Sequence, residues 1–161
     1  MRGAWAALDP GRNKCGLVRC NPDHTAVVEA RIEPAEVCLE RLSGWRAEGL
    51  EGVVLGNGTG SGPWPEQLQV MGLAVEVVDE QGSTLAARER YWQLLPPRGW
   101  RRLLPKGLRL PPRPIDDVVA QLLLERWLGR PLERAAELEA PLQAQERAAQ
   151  LAQKRARTVK A

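Results

Sequence analysis

Residues 8–16 of the chain read LDPGRNKCG, and this stretch decides how the rest of the sequence is interpreted. A run of small apolar residues at 4–9 ends on Asp9 and passes at once into a Pro-Gly pair, with a further glycine at Gly16. The run is typical of a short β-strand buried on both faces, and Pro-Gly predicts a sharp turn after it. Asp9 is therefore either a solvated turn acid or a carboxylate presented for chemistry, and the motif alone does not decide between them.

The segments that follow alternate between strand and helix patterns. Strands are predicted at 4–9, 15–21, 25–33, 52–57 and 74–80, and helices at 35–48, 65–71, 85–95 and 115–129. Ser83 or Thr84 is the predicted N-cap of the third helix. This order predicts an α/β fold with a mixed five-stranded sheet. The first three strands are antiparallel, and two later strands return through helices to lie parallel to the first, with helices on both faces.

Two parts of the chain depart from this regular pattern. Residues 96–114 contain six prolines, which predicts an irregular surface loop, the basic loop. Residues 1–130 are expected to form one domain. Residues 131–161 are helix-prone but polar, and we expect a helical extension that is interrupted at Pro141 and frays into a basic tail.

The formal charge of +3 hides a segregation of charge. The basic loop has six Arg or Lys and residues 154–161 have four, with no acid in either, which leaves 13 basic against 20 acidic residues elsewhere. Concentrated positive charge suggests an anionic partner such as nucleic acid; the alternative is a solvated basic loop. The predicted contacts to nucleic acid in the loop are Arg98, Trp100, Arg101, Arg102, Lys106, Arg109 and Arg113. Of these, Trp100 could stack on an unpaired base.

Composition also excludes several classes of protein. Cys15, Cys20 and Cys38 have no metal-binding spacing and are odd in number, which favours buried thiols in a reducing compartment. No signal sequence and no apolar run near 18 residues is present, so we expect a cytoplasmic protein without a membrane partner. The only histidine, His24, lies in a predicted turn, which argues against a Ser-His-Asp mechanism.

Four acids fall at related ends of the predicted elements. Asp9 ends the first strand, Glu80 ends the fifth, and Asp116 and Asp117 open the last buried helix. Taken singly, Asp9 is a common turn acid, Glu80 is a solvated residue at a strand end, and Asp116 or Asp117 is a helix N-cap. Taken together, they predict crowded carboxylates that a hard cation, Mg²⁺ or Mn²⁺, would join. Such ions can organise attack on a phosphodiester.

Three motifs carry a resemblance to a known family. They are ALDPGRNKCGLV (7–18), VEVVDEQGSTLAARERYW (75–92) and PIDDVVAQLLLERWL (114–128). On these motifs the chain resembles the YqgF/RuvX family, the Holliday-junction-resolvase-like branch of the RNase H fold, over residues 4–129. The resemblance implies an RNase H-like fold and a metal-dependent nuclease site.

The resemblance also assigns roles to individual residues. It places the catalytic, metal-binding acids on Asp9, Glu80 and Asp116, with Asp117 as a spare or additional metal ligand. Arg88 matches a position that is usually arginine and is expected to contact nucleic acid. The implied function is a Mg²⁺-dependent endonuclease that processes the 5′ end of precursor 16S ribosomal RNA or resolves Holliday-junction-like DNA. The sequence leaves open whether the protein is a monomer or a homodimer.

Two departures from the family pattern favour an alternative. The segment LGNGTGSGP (55–63) replaces the family's G-L-P-x-x-x-x-G loop and is more similar to the RNase H-like domain of Tex transcription-accessory proteins. Gln81 stands where the family usually has arginine. These features favour a non-catalytic RNase H-like nucleic-acid-binding module. Within the segment, Thr59 and Ser61 are candidate phosphate donors, and a plain strand-to-helix turn is the other interpretation.

Overall fold

The computed structural model describes residues 3–58 and 62–160. The strands are β1 Trp5–Asp9, β2 Cys15–Cys20, β3 Ala26–Glu33, β4 Gly52–Gly56, β5 Ala74–Val78 and β6 Glu133–Arg134. The helices are α1 Ala35–Ala47, α2 Trp64–Val70, α3 Ser83–Leu94, α4 Asp116–Leu128 and α5 Glu139–Lys160.

All six of these strands form one mixed sheet, in the order β5-β4-β1-β2-β3-β6. β1 pairs antiparallel with β2, and β2 with β3. β4 lies parallel to both β1 and β5, as the crossover helices predict. The prediction of a mixed α/β sheet is confirmed, but the prediction of five strands is wrong. The sixth strand, β6, has two residues and pairs parallel with the start of β3.

The sheet is covered on both faces because side chains alternate along its central strands. From β1, Ala6 and Leu8 join the core cluster that includes Leu42 of α1 and Leu68 of α2. Ala7 belongs to the opposite cluster, with α4. Burial on both faces explains why β1 and β4 have nearly continuous apolar sequences.

A buried network of charges joins α4 to the C-terminal region. Arg113, at the end of the basic loop, donates to Asp117 of α4 at 2.8 Å and to Glu139 of α5 at 2.7 Å. Arg134 of β6 also donates to Asp117. Two cations and two carboxylates therefore compensate each other in an environment where an unpaired charge is costly.

The C-terminal region is more integrated than the sequence suggests. Leu132 and Leu142 are buried in the core cluster around α4, and the Gln145 amide donates to the Ile32 carbonyl at 2.6 Å. The first part of the predicted extension 131–161 therefore packs against the main domain. Pro141 does not interrupt α5, because it lies in the first turn, where a helix needs no N–H donor. No helix among the described residues is long and apolar enough to cross a membrane.

Gly16 is required by a close approach of α4 to β2. It lies opposite Asp9 in the β1–β2 ladder. A Cβ atom at this position would overlap the backbone carbonyl of Asp116, the first residue of α4. The second glycine of the LDPGRNKCG stretch therefore lets the start of α4 lie directly against the sheet beside Asp9.

We predict that Gly16→Ala destabilises the protein, because the added methyl group meets backbone that cannot rotate away. Overpacking of this kind costs about 1–3 kcal/mol or more, which lowers the Tm of a domain of this size by roughly 3–10 °C. Thermal unfolding followed by circular dichroism measures the change. Gly44→Ala in α1 is the control: its Cβ atom would meet nothing within 4 Å, and it should stabilise by about 0.5–1 kcal/mol. Equal effects of the two substitutions would contradict the close-approach argument.

Candidate active site

An open cavity of about 440 Å³ lies at the carboxyl end of β1. We call it the acidic cleft. Its lining residues are Asp9, Lys14, Glu80, Ser83, Thr84, Pro114, Ile115, Asp116 and Val119. Three acids predicted from separate parts of the sequence thus line one cavity. It lies where ligands commonly bind to α/β sheets, at the carboxyl ends of the strands.

Asp9 is the acid nearest the middle of the sheet. Burial, together with the smaller effects of Asp116, Glu80 and Cys15, raises the pKa of its carboxyl group from 3.8 to about 7. Asp9 is therefore close enough to both other carboxylates to be repelled by them. A group with this pKa can hold or release a proton near neutral pH.

Glu80 lines the acidic cleft, but it is not the last residue of β5 that the sequence predicted it to be. β5 ends at Val78, so Glu80 lies beyond the strand, where its N–H donates to the Asn57 side chain at 3.2 Å. Its carboxylate lies over the end of β4: a Cβ atom on Gly56 would be 2.6 Å from Glu80 Oε2, and one on Gly58 would overlap Oε1. These two glycines leave room for an acid, a role that the sequence analysis missed.

Asp116 is the first residue of α4, and burial raises the pKa of its carboxyl group. The Lys14 ammonium, 4.0 Å from Asp116 Oδ2, opposes this shift. Lys14 lines the acidic cleft and was not among the predicted site residues. Its place in the short turn between Asp9 and Gly16 is the sequence signal that could have identified it.

Asp117 and Arg113 do not contribute to the acidic cleft or to the basic surface. Both carboxylate oxygens of Asp117 accept from arginines, Oδ1 from Arg113 and Oδ2 from Arg113 and Arg134. Its side chain is fully buried, because successive helix residues point about 100° apart. The structure thus places both Asp117, predicted as a metal ligand, and Arg113, predicted as a nucleic-acid contact, in the buried ion network, away from the acidic cleft and from solvent.

The start of α3 also differs from expectation. Gly82, with φ of 70°, occupies the N-cap position, and the structure shows no side-chain cap there. Ser83 and Thr84, the predicted caps, line the acidic cleft instead. Their hydroxyl groups add neutral hydrogen-bonding groups to a cavity otherwise dominated by charge.

The residue types of the acidic cleft fit a hard divalent cation, because several carboxylates share the cavity. Their positions do not form a finished site. Across residues 3–58 and 62–160, no three His, Cys, Asp or Glu side chains form a group that could hold a metal ion. Our expectation that Asp9, Glu80 and Asp116 converge to metal-bridging distance is therefore not met in this arrangement.

The basic loop has a defined internal structure. It contains two 3₁₀ turns, Gly99–Leu103 and Lys106–Leu108. The Arg109 guanidinium donates to the backbone carbonyls of Arg101 and Leu104 at 3.0 and 2.9 Å. Since residues 96–114 include no acid, carbonyl oxygens take the place of a carboxylate partner. Arg109 therefore organises the loop.

The remaining predicted nucleic-acid contacts divide into four groups. Exposed residues of the basic loop are Arg98, Trp100, Arg102 and Lys106. The Arg101 guanidinium packs over the Trp100 ring, 5.0 Å from its centroid. Arg88 is exposed on α3 and lines a separate cavity under the loop. Thr59 and Ser61 lie outside the described residues.

Comparison with known proteins gives little further information. No protein-family model and no curated protein matches the sequence. Among solved structures, the chain is similar to T. thermophilus RuvC in complex with a Holliday junction substrate, at 17% sequence identity. The similarity covers 78% of this chain and 94% of that chain, with a TM-score of 0.44. A TM-score of this size does not establish a common fold.

We predict that Asp9→Asn stabilises the metal-free protein, and more at pH 8 than at pH 5. The folded state holds a proton on Asp9 up to about pH 7, whereas the unfolded chain releases it near pH 4. Stability therefore falls as pH rises between these values, and the full cost is present above pH 7. Thermal midpoints of both proteins in EDTA measure the difference, and a gain in Tm that is independent of pH would contradict this origin.

Proposed function

We propose that this chain is a divalent-metal-dependent nuclease that cuts structured nucleic acid. The observation that carries the proposal is the acidic cleft, in which Asp9, Glu80 and Asp116 line one open cavity. Pro114, at the end of the basic loop, lines the same cavity. Carboxylates, the side chains that divalent cations prefer, are thus adjacent to a positively charged surface that contains no acid.

The three acids would hold Mg²⁺ or Mn²⁺, which when bound polarises phosphate and water oxygens. Burial and the charges of Asp116 and Glu80 raise the pKa of Asp9 in the metal-free protein, so a bound cation would favour release of its proton and its role as a metal ligand. Lys14 supplies a positive charge beside Asp116 for a phosphate oxygen. The hydroxyl groups of Ser83 and Thr84, which line the cleft, are further donors.

The substrate proposed from the YqgF/RuvX resemblance is the 5′ end of precursor 16S ribosomal RNA or a Holliday-junction-like DNA. Both combine duplex with branch points or unpaired ends. Such substrates suit a site with an acidic cleft on one side and a basic loop on the other. The exposed cations of the basic loop would bind phosphates without reading sequence.

A second function is favoured by two specific features. The Lys14–Asp116 ion pair partly neutralises the acidic cleft, and the described residues contain no finished metal-binding group. Together with Gln81 and the Tex-like LGNGTGSGP segment, these features suit a non-catalytic nucleic-acid-binding module. Such a module keeps the fold and binds phosphates through the basic loop.

Cleavage assays distinguish the two functions. End-labelled precursor 16S ribosomal RNA, a four-way DNA junction and a blunt duplex are incubated with Mg²⁺, Mn²⁺ or EDTA. We predict metal-dependent cleavage of at least one structured substrate. Asp9→Asn and Asp116→Asn should each reduce the rate by about a hundredfold or more, since each removes a metal-binding charge.

Asp79→Asn is the matched control for these assays. Asp79 is exposed next to Glu80 and does not line the acidic cleft, and its Oδ1 accepts from the Gln81 N–H at 2.9 Å. It should cleave at the wild-type rate. Binding without metal-dependent cleavage, and with no difference between Asp9→Asn and Asp79→Asn, would establish the binding module instead.

We predict that the basic loop supplies much of the affinity. Arg98→Ala, Arg102→Ala and Lys106→Ala combined should weaken binding and flatten its salt dependence. The slope of log K against log salt should change by about 0.7–0.9 for each lost phosphate contact. Fluorescence anisotropy at several salt concentrations measures the slope. Arg46→Ala, on the opposite face of the sheet, is the control, and an unchanged slope in the triple variant would show that the basic loop is only a solvated connector.

A further inference from the structure

A second cavity, of about 490 Å³, lies between α3 and the basic loop. We call it the α3 pocket. From α3 it is lined by Leu85, Arg88 and Trp92, and from the basic loop by Pro97, Lys106 and Arg109. Neither the family resemblance nor the proposed cleavage chemistry assigns a role to this cavity.

The chemistry of the α3 pocket combines an aromatic ring with cations. The Trp92 indole N–H donates to the Arg109 carbonyl at 3.0 Å, so the ring's one polar group is satisfied and its orientation is fixed by the basic loop. Within the described part of the chain, Arg88 and Lys106 form no ion pair. Glu89 also lines the pocket, which leaves more positive than negative charge there.

This combination suits one class of ligand. A nucleotide has a flat base that stacks on indole and a phosphate that binds Arg and Lys. A free inorganic anion would not use Trp92 or the exposed Leu85. An apolar ligand would leave Arg88 and Lys106 unused. The pocket therefore complements both halves of a nucleotide.

The α3 pocket lies on a direct path from the acidic cleft. Thr84, in the first turn of α3, lines the cleft, while Arg88 and Trp92, one and two turns later, line the pocket. At 1.5 Å per residue, Trp92 is roughly 12 Å along the helix from Thr84. At the duplex rise of about 3.4 Å per nucleotide, this distance is about three to four nucleotides, and a more extended unpaired strand covers it with fewer. One strand could therefore occupy both sites.

We propose that the α3 pocket binds an unpaired nucleotide of the substrate strand, with the base against Trp92 and its phosphate between Arg88 and Lys106. The nucleotide must be unpaired because the pocket is enclosed between α3 and the basic loop, which contributes Pro97 and Gly107 to its lining, and a paired base has both faces covered by its neighbours. This inference rests on the proposed function in that the strand also enters the acidic cleft. It specifies a substrate with unpaired nucleotides near the cut.

The test uses Asp9→Asn protein, so that cleavage does not interfere, and compares a 12-nucleotide single strand with the corresponding blunt duplex by anisotropy. Trp92→Leu should weaken single-strand binding at least fivefold, about the lower limit for loss of one stacked base, and duplex binding less than twofold. Trp92→Phe keeps a ring and should bind nearly normally. Arg88→Gln should weaken binding, whereas Arg46→Gln on α1 should not.

A second measurement needs no substitution. A single strand containing 5-iodouracil is photocross-linked to the unmodified chain and the adduct is located in tryptic peptides. We expect it in residues 91–98, which contain Trp92, rather than in residues 99–101, which contain Trp100.

Two outcomes would overturn the proposal: equal single-strand and duplex losses in Trp92→Leu, or cross-linking at Trp100 alone. The proposed function can fail separately. In that case the unmodified protein shows no metal-dependent cleavage, while the effect of Trp92 on single-strand binding remains.

Discussion

The contact between Gly16 and the first peptide unit of α4 is the constraint on which the candidate site depends. β-pairing places Asp9 opposite Gly16, and the missing side chain at Gly16 lets Asp116 lie against that same rung of the ladder. The end of β1 and the start of α4 therefore lie side by side. The same device recurs at the end of β4, where Gly56 leaves room for the Glu80 carboxylate. Glycines thus bring the acids together, although they supply no chemistry.

The charges on α4 divide between two environments. Asp116 lies in the open acidic cleft near Lys14, while Asp117 is enclosed by Arg113 and Arg134. Removing one partner of a buried ion pair costs about 3–5 kcal/mol, because the remaining charge stays desolvated. The enclosed network therefore anchors the basic loop to α4, and the open acid beside it remains accessible to solvent and ligands.

Much of this arrangement could be predicted from the sequence, for identifiable reasons. Alternating and helical periods predicted most elements, and the ends of those elements placed Asp9, Glu80 and Asp116 in one region of the sheet. β6 could not be predicted from the sequence. Its two charged residues are too few to show an alternating pattern, and the strand forms only by pairing with β3, which lies far away in the sequence. The sequence also could not show which of Asp116 and Asp117 faces the acidic cleft, since adjacent helix residues differ only in the direction in which their side chains point. The role of Gly58 could not be predicted either, because it depends on Glu80, which follows the neighbouring strand β5.

The position of Glu139 has a consequence for how the chain can be shortened. The outer part of α5 is exposed and basic, and it would be a natural segment to trim for biophysical work. Glu139, at the start of that helix, neutralises Arg113, whose side chain is only 2% exposed. A truncation upstream of Glu139 would leave a buried guanidinium with half of its counter-charge and loosen the end of the basic loop. A truncation beyond Gln145, which hydrogen-bonds to β3, would leave this anchorage intact.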